Sequence, residues 1–125
     1  MTQTSRSDNQ SPTSVPEAVS RAFHTGMKLH LNSEDLAFIA GVQTYVEIEH
    51  SFSLEFSDLE KIFYIVNEVA KSSQDNLSQR THNAVERLLK NQMIIRVDGG
   101  GISHRPVYDI TQLGKAIVAY MTSNE

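Results

Sequence analysis

Three consecutive glycines, Gly99 to Gly101, stand inside "RVDGGGISHRPVYDIT" (96–111), between two short β-rich runs and ahead of a threonine that can open a helix. Glycine reaches positive φ without steric cost, so such a run suits either a tight hairpin turn or a phosphate-cradling loop. The flanking residues decide between them. Phosphate loops need their glycines directly after a strand and directly before a helix, where free amides meet the anion. Here "PVYDI" follows as a second strand, the spacing is neither GxGxxG nor GxxxxGK, and no Lys-Ser or Lys-Thr pair follows. The glycines therefore read as the turn of a hairpin with "MIIRV" and "PVYDI" as its arms, binding no nucleotide. Pro106 lacks an N–H and suits the start or the edge of the return strand, which leaves His104 and Arg105 near the exposed tip.

Helical periodicity precedes and follows this hairpin. Phe52, Leu54 and Phe56 alternate like a short strand, and Ser57 with Glu60 forms a capping-box signal for a helix whose buried stripe is Leu59, Ile62, Phe63, Val66 and Val69 or Ala70. After the polar break "SSQDN" comes "LSQRTHNAVERLLKNQ", amphipathic, with Leu77, Ala84, Val85, Leu88 and Leu89 on one side. Nearer the start, Pro16 suits a first helical turn with Val15, Val19, Ala22 and Phe23 as its stripe, ending near Gly26. Asn32 or Ser33 caps a second helix bearing Leu36, Ile39, Ala40 and Val42, where Gly41 serves close helix packing. Thr111 caps a last helix whose Leu113, Ile117 and Tyr120 or Met121 repeat at helical spacing.

The order strand, helix, turn, helix, hairpin, helix is that of a winged helix. The chain is thus expected to be mainly α with a small β-hairpin: residues 57–71 and 75–91 as the helix-turn-helix pair, 93–110 as the wing, and extra helices at the N-terminus. "MTQTSRSDNQSPTS" has no apolar residue after Met1 and is expected to be a disordered tail, 1–14, ahead of one domain over 15–125.

Composition narrows the function. With no cysteine among 125 residues, no disulfide, thiolate zinc site or catalytic thiol is available. No apolar run approaches the ~18 residues of a membrane span and no signal pattern opens the chain, so it reads as cytoplasmic. His24, His30, His50, His82 and His104 form no i, i+4 pair or HExxH, and no GxSxG marks a nucleophile; no catalytic, metal, cofactor or small-molecule role is expected. The net charge of -4 argues against a wholly polyanion-binding surface, yet it is unevenly spread. Residues 31–70 hold eight acids and one base, whereas residues 71–106 hold six bases and three acids, so any anion-facing surface lies in the second stretch.

That stretch supplies the candidate contact residues. Gln79, Arg80, Asn83, Arg87 and Lys90 on the second helix of the pair, with Arg96, His104 and Arg105 on the wing, are types that bond base edges and phosphates. Asp75 and Glu86 hold the helix near +1, below what strong DNA binders concentrate, which favours a degenerate winged helix used for docking to proteins.

Five stretches, "VPEAV", "LNSEDLAFIAGV", "FSDLEKIFYIV", "RTHNAVERLLKNQMIIRV" and "VYDITQLGKAIVAYM", resemble in order and spacing the N-terminal domain of the bacterial kleisin MukF and its MksF relatives, subunits of SMC-type condensins. The resemblance covers about Val15 to the end. It implies a role in chromosome organisation and partitioning, near the nucleoid, as a homodimerising domain of a complex with an SMC-type ATPase. A full kleisin continues into a helical middle region and a second winged helix, so the resemblance makes this sequence an excised domain or a stand-alone relative and carries over no SMC-contact residue. Two function classes follow: an assembly domain of a condensin-like kleisin, and a stand-alone winged-helix DNA-binding regulator. For the first, the interface is expected on residues 15–46, with Phe23, Leu29, Leu31, Phe38 and Tyr45 as apolar contacts and the last helix contributing.

Overall fold

The computed structural model describes residues 14–50, 53–98 and 105–124. Its elements run α1 (Val15–Lys28), α2 (Ser33–Glu49), α3 (Phe56–Ala70), α4 (Leu77–Lys90), β1 (Ile94–Asp98), β2 (Pro106–Ile110) and α5 (Gln112–Ser123). Residues 1–13, the glycines 99–101 and His104 lie outside the described residues. Ser14, expected in the tail, instead caps α1: its Oγ accepts from the Glu17 amide at 3.2 Å.

The second helix occupies the centre. Every residue from Asp35 to Val42 is buried, so it has no polar side along this stretch and needs cover all round. α1, α3, α4 and α5 supply it. Gly41 makes the closest approach workable, since a Cβ there would come within 2.7 Å of Ile62 Cγ2 on α3 and 2.9 Å of Val19 Cγ2 on α1. Asn32 is the cap of α2, its side-chain oxygen accepting from the Asp35 amide at 3.2 Å.

Three local expectations are corrected. α1 does not end near Gly26 but runs on to Lys28; Gly26 is buried within it, where a Cβ would meet Ser33 Cα at 2.9 Å. The left-handed turn falls instead at His30, with φ 60°. The capping box of α3 is not Ser57 with Glu60: Glu55 is the cap, and its amide donates to Asp58 Oδ2 at 3.0 Å. Phe56 is accordingly helical, and of the alternating trio only Leu54 is seen in strand pairing; Phe52 lies outside the described residues.

β1 and β2 pair antiparallel with Arg96 opposite Tyr108 and Asp98 opposite Pro106. Leu54 adds a one-residue third strand, exchanging both backbone bonds with Tyr108 at 3.0 and 2.8 Å. Tyr108 therefore turns its backbone groups away from β1. So does Pro106 two residues earlier, and its missing N–H costs the hairpin nothing. The wing is fastened below by Thr111, whose Oγ1 accepts from the Gly114 amide at 3.0 Å and donates to the Gln92 carbonyl at 2.6 Å.

Gly114 provides a stability test. A Cβ there would lie 2.3 Å from the Met93 carbonyl oxygen, a backbone atom that cannot step aside. Helix propensity alone favours Gly→Ala by up to ~1 kcal/mol. Gly114→Ala should nevertheless destabilise by about 1–3 kcal/mol through overpacking, read as a lowered urea midpoint. A raised midpoint would contradict the close packing of α5 on the wing.

Candidate docking and nucleic-acid interface

α3 and α4 form the helix-turn-helix pair, and the polar side of α4 carries the residues expected to face DNA or a protein. Their engagements differ. Gln79 and Asn83 are exposed one turn apart and bonded to each other, Nε2 to Oδ1 at 3.1 Å. Arg80 is turned inward: one guanidinium nitrogen donates to the Ser73 carbonyl, the other to Asn67 Oδ1 at 3.2 Å, and the group lies 6.0 Å from the Phe63 ring centroid. Asn67 in turn donates to Gln74 Oε1 at 3.0 Å, and Gln74 Nε2 to the Tyr64 carbonyl at 2.9 Å. This network pins the turn between the two helices, where Lys71 and Asn76 hold left-handed backbone angles.

Arg87 is engaged in a different place. Its Nη2 lies 2.9 Å from Glu34 Oε1 and 2.9 Å from Asp35 Oδ1, and its Nε donates to Asp35 at 3.0 Å. The Asp35 side chain is only 6% exposed. It also accepts from Asn32 Nδ2 at 3.1 Å, so the carboxylate is shared between the cap of α2 and the last turn of α4. Burial alone would lower the Arg87 pKa, but the bonds and charges of Asp35 and Glu34 raise it above its ordinary value. On the wing, Arg105 pairs with Glu55 at 3.3 Å, with both side chains largely in solvent. Lys90 and Arg96 are exposed and have no ion pair among the described residues.

The apolar candidates also separate. Phe38 is 0% exposed and packs against Phe63 with ring centroids 5.1 Å apart, so it belongs to the core and is withdrawn from the expected interface. Phe23 and Leu29 are half-buried, and Tyr45 is half-buried with its hydroxyl donating to Asp58 Oδ1 at 2.9 Å. Leu31 alone of the five is well exposed, at 48%. Sequence periodicity passes over Met27, 56% exposed near the end of α1, and places Leu113, Ile117 and Tyr120 or Met121 in the stripe of α5, of which Met121 is the buried alternative. In the structure Gly114 and Met121 are the buried residues of that helix, and Leu113 and Tyr120 face outward. Lys28 Nζ donates to the Asn124 carbonyl at 3.2 Å, bringing the C-terminal ends of α1 and α5 together.

Two helices joined by a pinned turn, a hairpin bonded to a short strand ahead of them and a capping helix behind it are the parts of a winged helix. A model of the MukF winged-helix domain family matches residues 9–124. The chain belongs to this family. No solved structure matches it. The resemblance carried by "FSDLEKIFYIV" and "VYDITQLGKAIVAYM" is thereby established at family level, and the mainly helical fold with one small sheet agrees with it. In this MukF-type winged helix, Arg80 and Arg87 of α4 are tied into the fold. Among the described residues no group of three or more His, Asp or Glu side chains is placed to hold a metal ion. No helix among them is long and apolar enough to cross a membrane.

Two measurements test these engagements. Arg87→Ala leaves the buried Asp35 carboxylate without its ion pair; discounted for the solvent that reaches the arginine, it should cost about 1–3 kcal/mol. Arg105→Ala removes an exposed pair and should cost about 0–1 kcal/mol. Equal urea midpoints for the two variants would show that the Arg87 pair does not hold α4 to α2. Tyr45 gives a pH signature: burial first, then the bond and charge of Asp58, push its pKa up to about 12 from an ordinary 10.0. A folded pKa above the unfolded one means a contribution complete below about pH 10 and lost as pH rises toward about 12. Tyr45→Phe should therefore flatten the fall in stability across that alkaline window, and an unchanged fall would rule the contribution out.

Proposed function

We propose that this domain is a non-enzymatic assembly module of a condensin-like kleisin of the MukF or MksF type, pairing with a second copy of itself and acting in chromosome organisation and partitioning. The observation that carries this reading is where the recognition helix spends its cations. Arg80 and Arg87 are bonded within the fold, and every base withheld from the phosphates lowers both the affinity for DNA and its salt dependence. Meanwhile Met27 and Leu31 at the end of α1, with Leu113 and Tyr120 on the outer side of α5, stay exposed. These side chains, flanked by half-buried Phe23 and Leu29, are the pairing surface we assign. An SMC-type ATPase partner and a place in the cytoplasm at the nucleoid are part of the same proposal, and the family match supports them.

A winged-helix DNA-binding regulator is the second reading, supported by exposed Gln79, Asn83, Lys90 and Arg96. One pair of experiments separates the two. Sedimentation equilibrium at micromolar concentration should give a dimer, and Leu31→Asp combined with Tyr120→Asp should give a folded monomer, because an obligate interface buries upward of ~2,000 Å² and does not tolerate charge at its apolar centre. Titration of duplex DNA at rising salt should show weak binding of shallow slope. A strictly monomeric parent, together with tight, sequence-selective DNA binding that collapses in Lys90→Ala combined with Arg96→Ala, would transfer the assignment to the regulator.

A further inference from the structure

Where the C-terminal half of α2 meets the end of β2 and the start of α5, Gln43, Val46, Glu47, His50, Asp109 and Lys115 help line a groove of about 530 Å³. Past Gln43, Glu47 and Lys115 the lining continues into a cleft of about 310 Å³ between α1, α2 and α5. Two oxygens of its lining residues are turned away from water with no donor among the described residues to bond them, Gln43 Oε1 and Asp109 Oδ1. Buried acceptors in folded proteins are nearly always paired, so two on residues that line one groove call for a cause.

The Gln43 amide cannot resolve the matter by flipping. Its Nε2 donates to Glu47 Oε2 at 2.8 Å, and exchanging nitrogen for oxygen would set oxygen against carboxylate. The lining residues therefore contribute an amide oxygen and two carboxylates, those of Glu47 and Asp109, against the exposed ring of His50 and one ammonium at the rim, Lys115, which is exposed and makes no ion pair with either acid among the described residues. The Asp109 side chain makes no hydrogen bond or ion pair among the described residues, so turning its Oδ1 toward an arriving donor breaks none; turning Gln43 Oε1 outward gives up the bond from Nε2 to Glu47 and frees that carboxylate for the same cation.

We propose that this groove receives a cationic side chain, an arginine or lysine carried on a basic segment of a partner protein. A guanidinium presents five N–H donors in a planar fork and no acceptor, the complement of this lining. An anionic or purely apolar occupant would leave the same oxygens unpaired. Met27, Leu31, Leu113 and Tyr120 are not among the lining residues, so the groove stands apart from the pairing surface assigned above and its test does not depend on that one.

The probe is the blocked tripeptide acetyl-Gly-Arg-Gly-amide, titrated into the full chain and followed by two-dimensional amide NMR, with the matching glutamate peptide as control. Saturable shifts confined to residues 43–50 and 106–115, none of them produced by the glutamate peptide, are expected. Gln43→Leu combined with Asp109→Asn should weaken binding by about tenfold or more. Lys115→Glu changes an exposed rim residue, spares the packing and should tighten binding several-fold. Shifts that fail to saturate, that fall elsewhere or that the glutamate peptide reproduces would overturn the proposal. So would binding by Lys115→Glu no tighter than by the parent, or a folded double variant that binds as the parent does.

Discussion

A helix with no polar side cannot rest on a surface; it has to be enclosed. Over Asp35–Val42, α2 is such a helix, and the positions of α1, α3, α4 and α5 are answers to that requirement. Enclosure at this density leaves no room for a side chain where α1 and α3 both close on α2, which is why the residue there is Gly41. The wing and helix-turn-helix pair are held outward from this centre, through Leu88 and Met93 on one side and Leu54 and Tyr108 on the other.

The same helix brings a carboxylate into the protein. Asp35 places its charge in the first turn of α2 but is buried there, and a buried carboxylate without a partner is costly. Arg87 supplies the partner from α4, at the last turn, where a cation also suits the helix dipole. Arg80 does the corresponding service for the inter-helix turn. A winged helix can keep its shape while its bases are used inward. Its geometry and its surface chemistry are set by different contacts.

Much of this fold is legible in the sequence because it rests on near neighbours. The period of Leu59, Ile62, Phe63 and Val66, the Thr111 cap and the second strand after the glycines each declare an element within a few residues. Gly41 is recognisable as a packing glycine for a similar reason, as an interruption in an otherwise apolar helix. What stays hidden depends on residues far along the chain. Asp35 lies in another helix from Arg87, so no local pattern separates a base that pairs inward from one offered outward. Phe38 and Leu31 are equally apolar on paper, and only the position of α3 buries the first and not the second. The α3 cap is hidden because Ser57 with Glu60 fits the usual Ser/Thr-x-x-Glu pattern, whereas Glu55 with Asp58, two residues earlier, does the same work with residue types outside it. The bond from Leu54 to Tyr108 fixes the chain ahead of the helix and accompanies the earlier one.

That bond has a kinetic side. Leu54 and Tyr108 enclose the whole helix-turn-helix and the hairpin between them, so joining them closes a loop of about half the chain, and the entropy of closure must be met before either backbone bond forms. Local helix-helix contacts face no such delay. The third strand should therefore complete late in folding, after α3 and α4 have met and shortened the effective loop. Its opening would release the wing on one side only, since Thr111 and Met93 still hold the other.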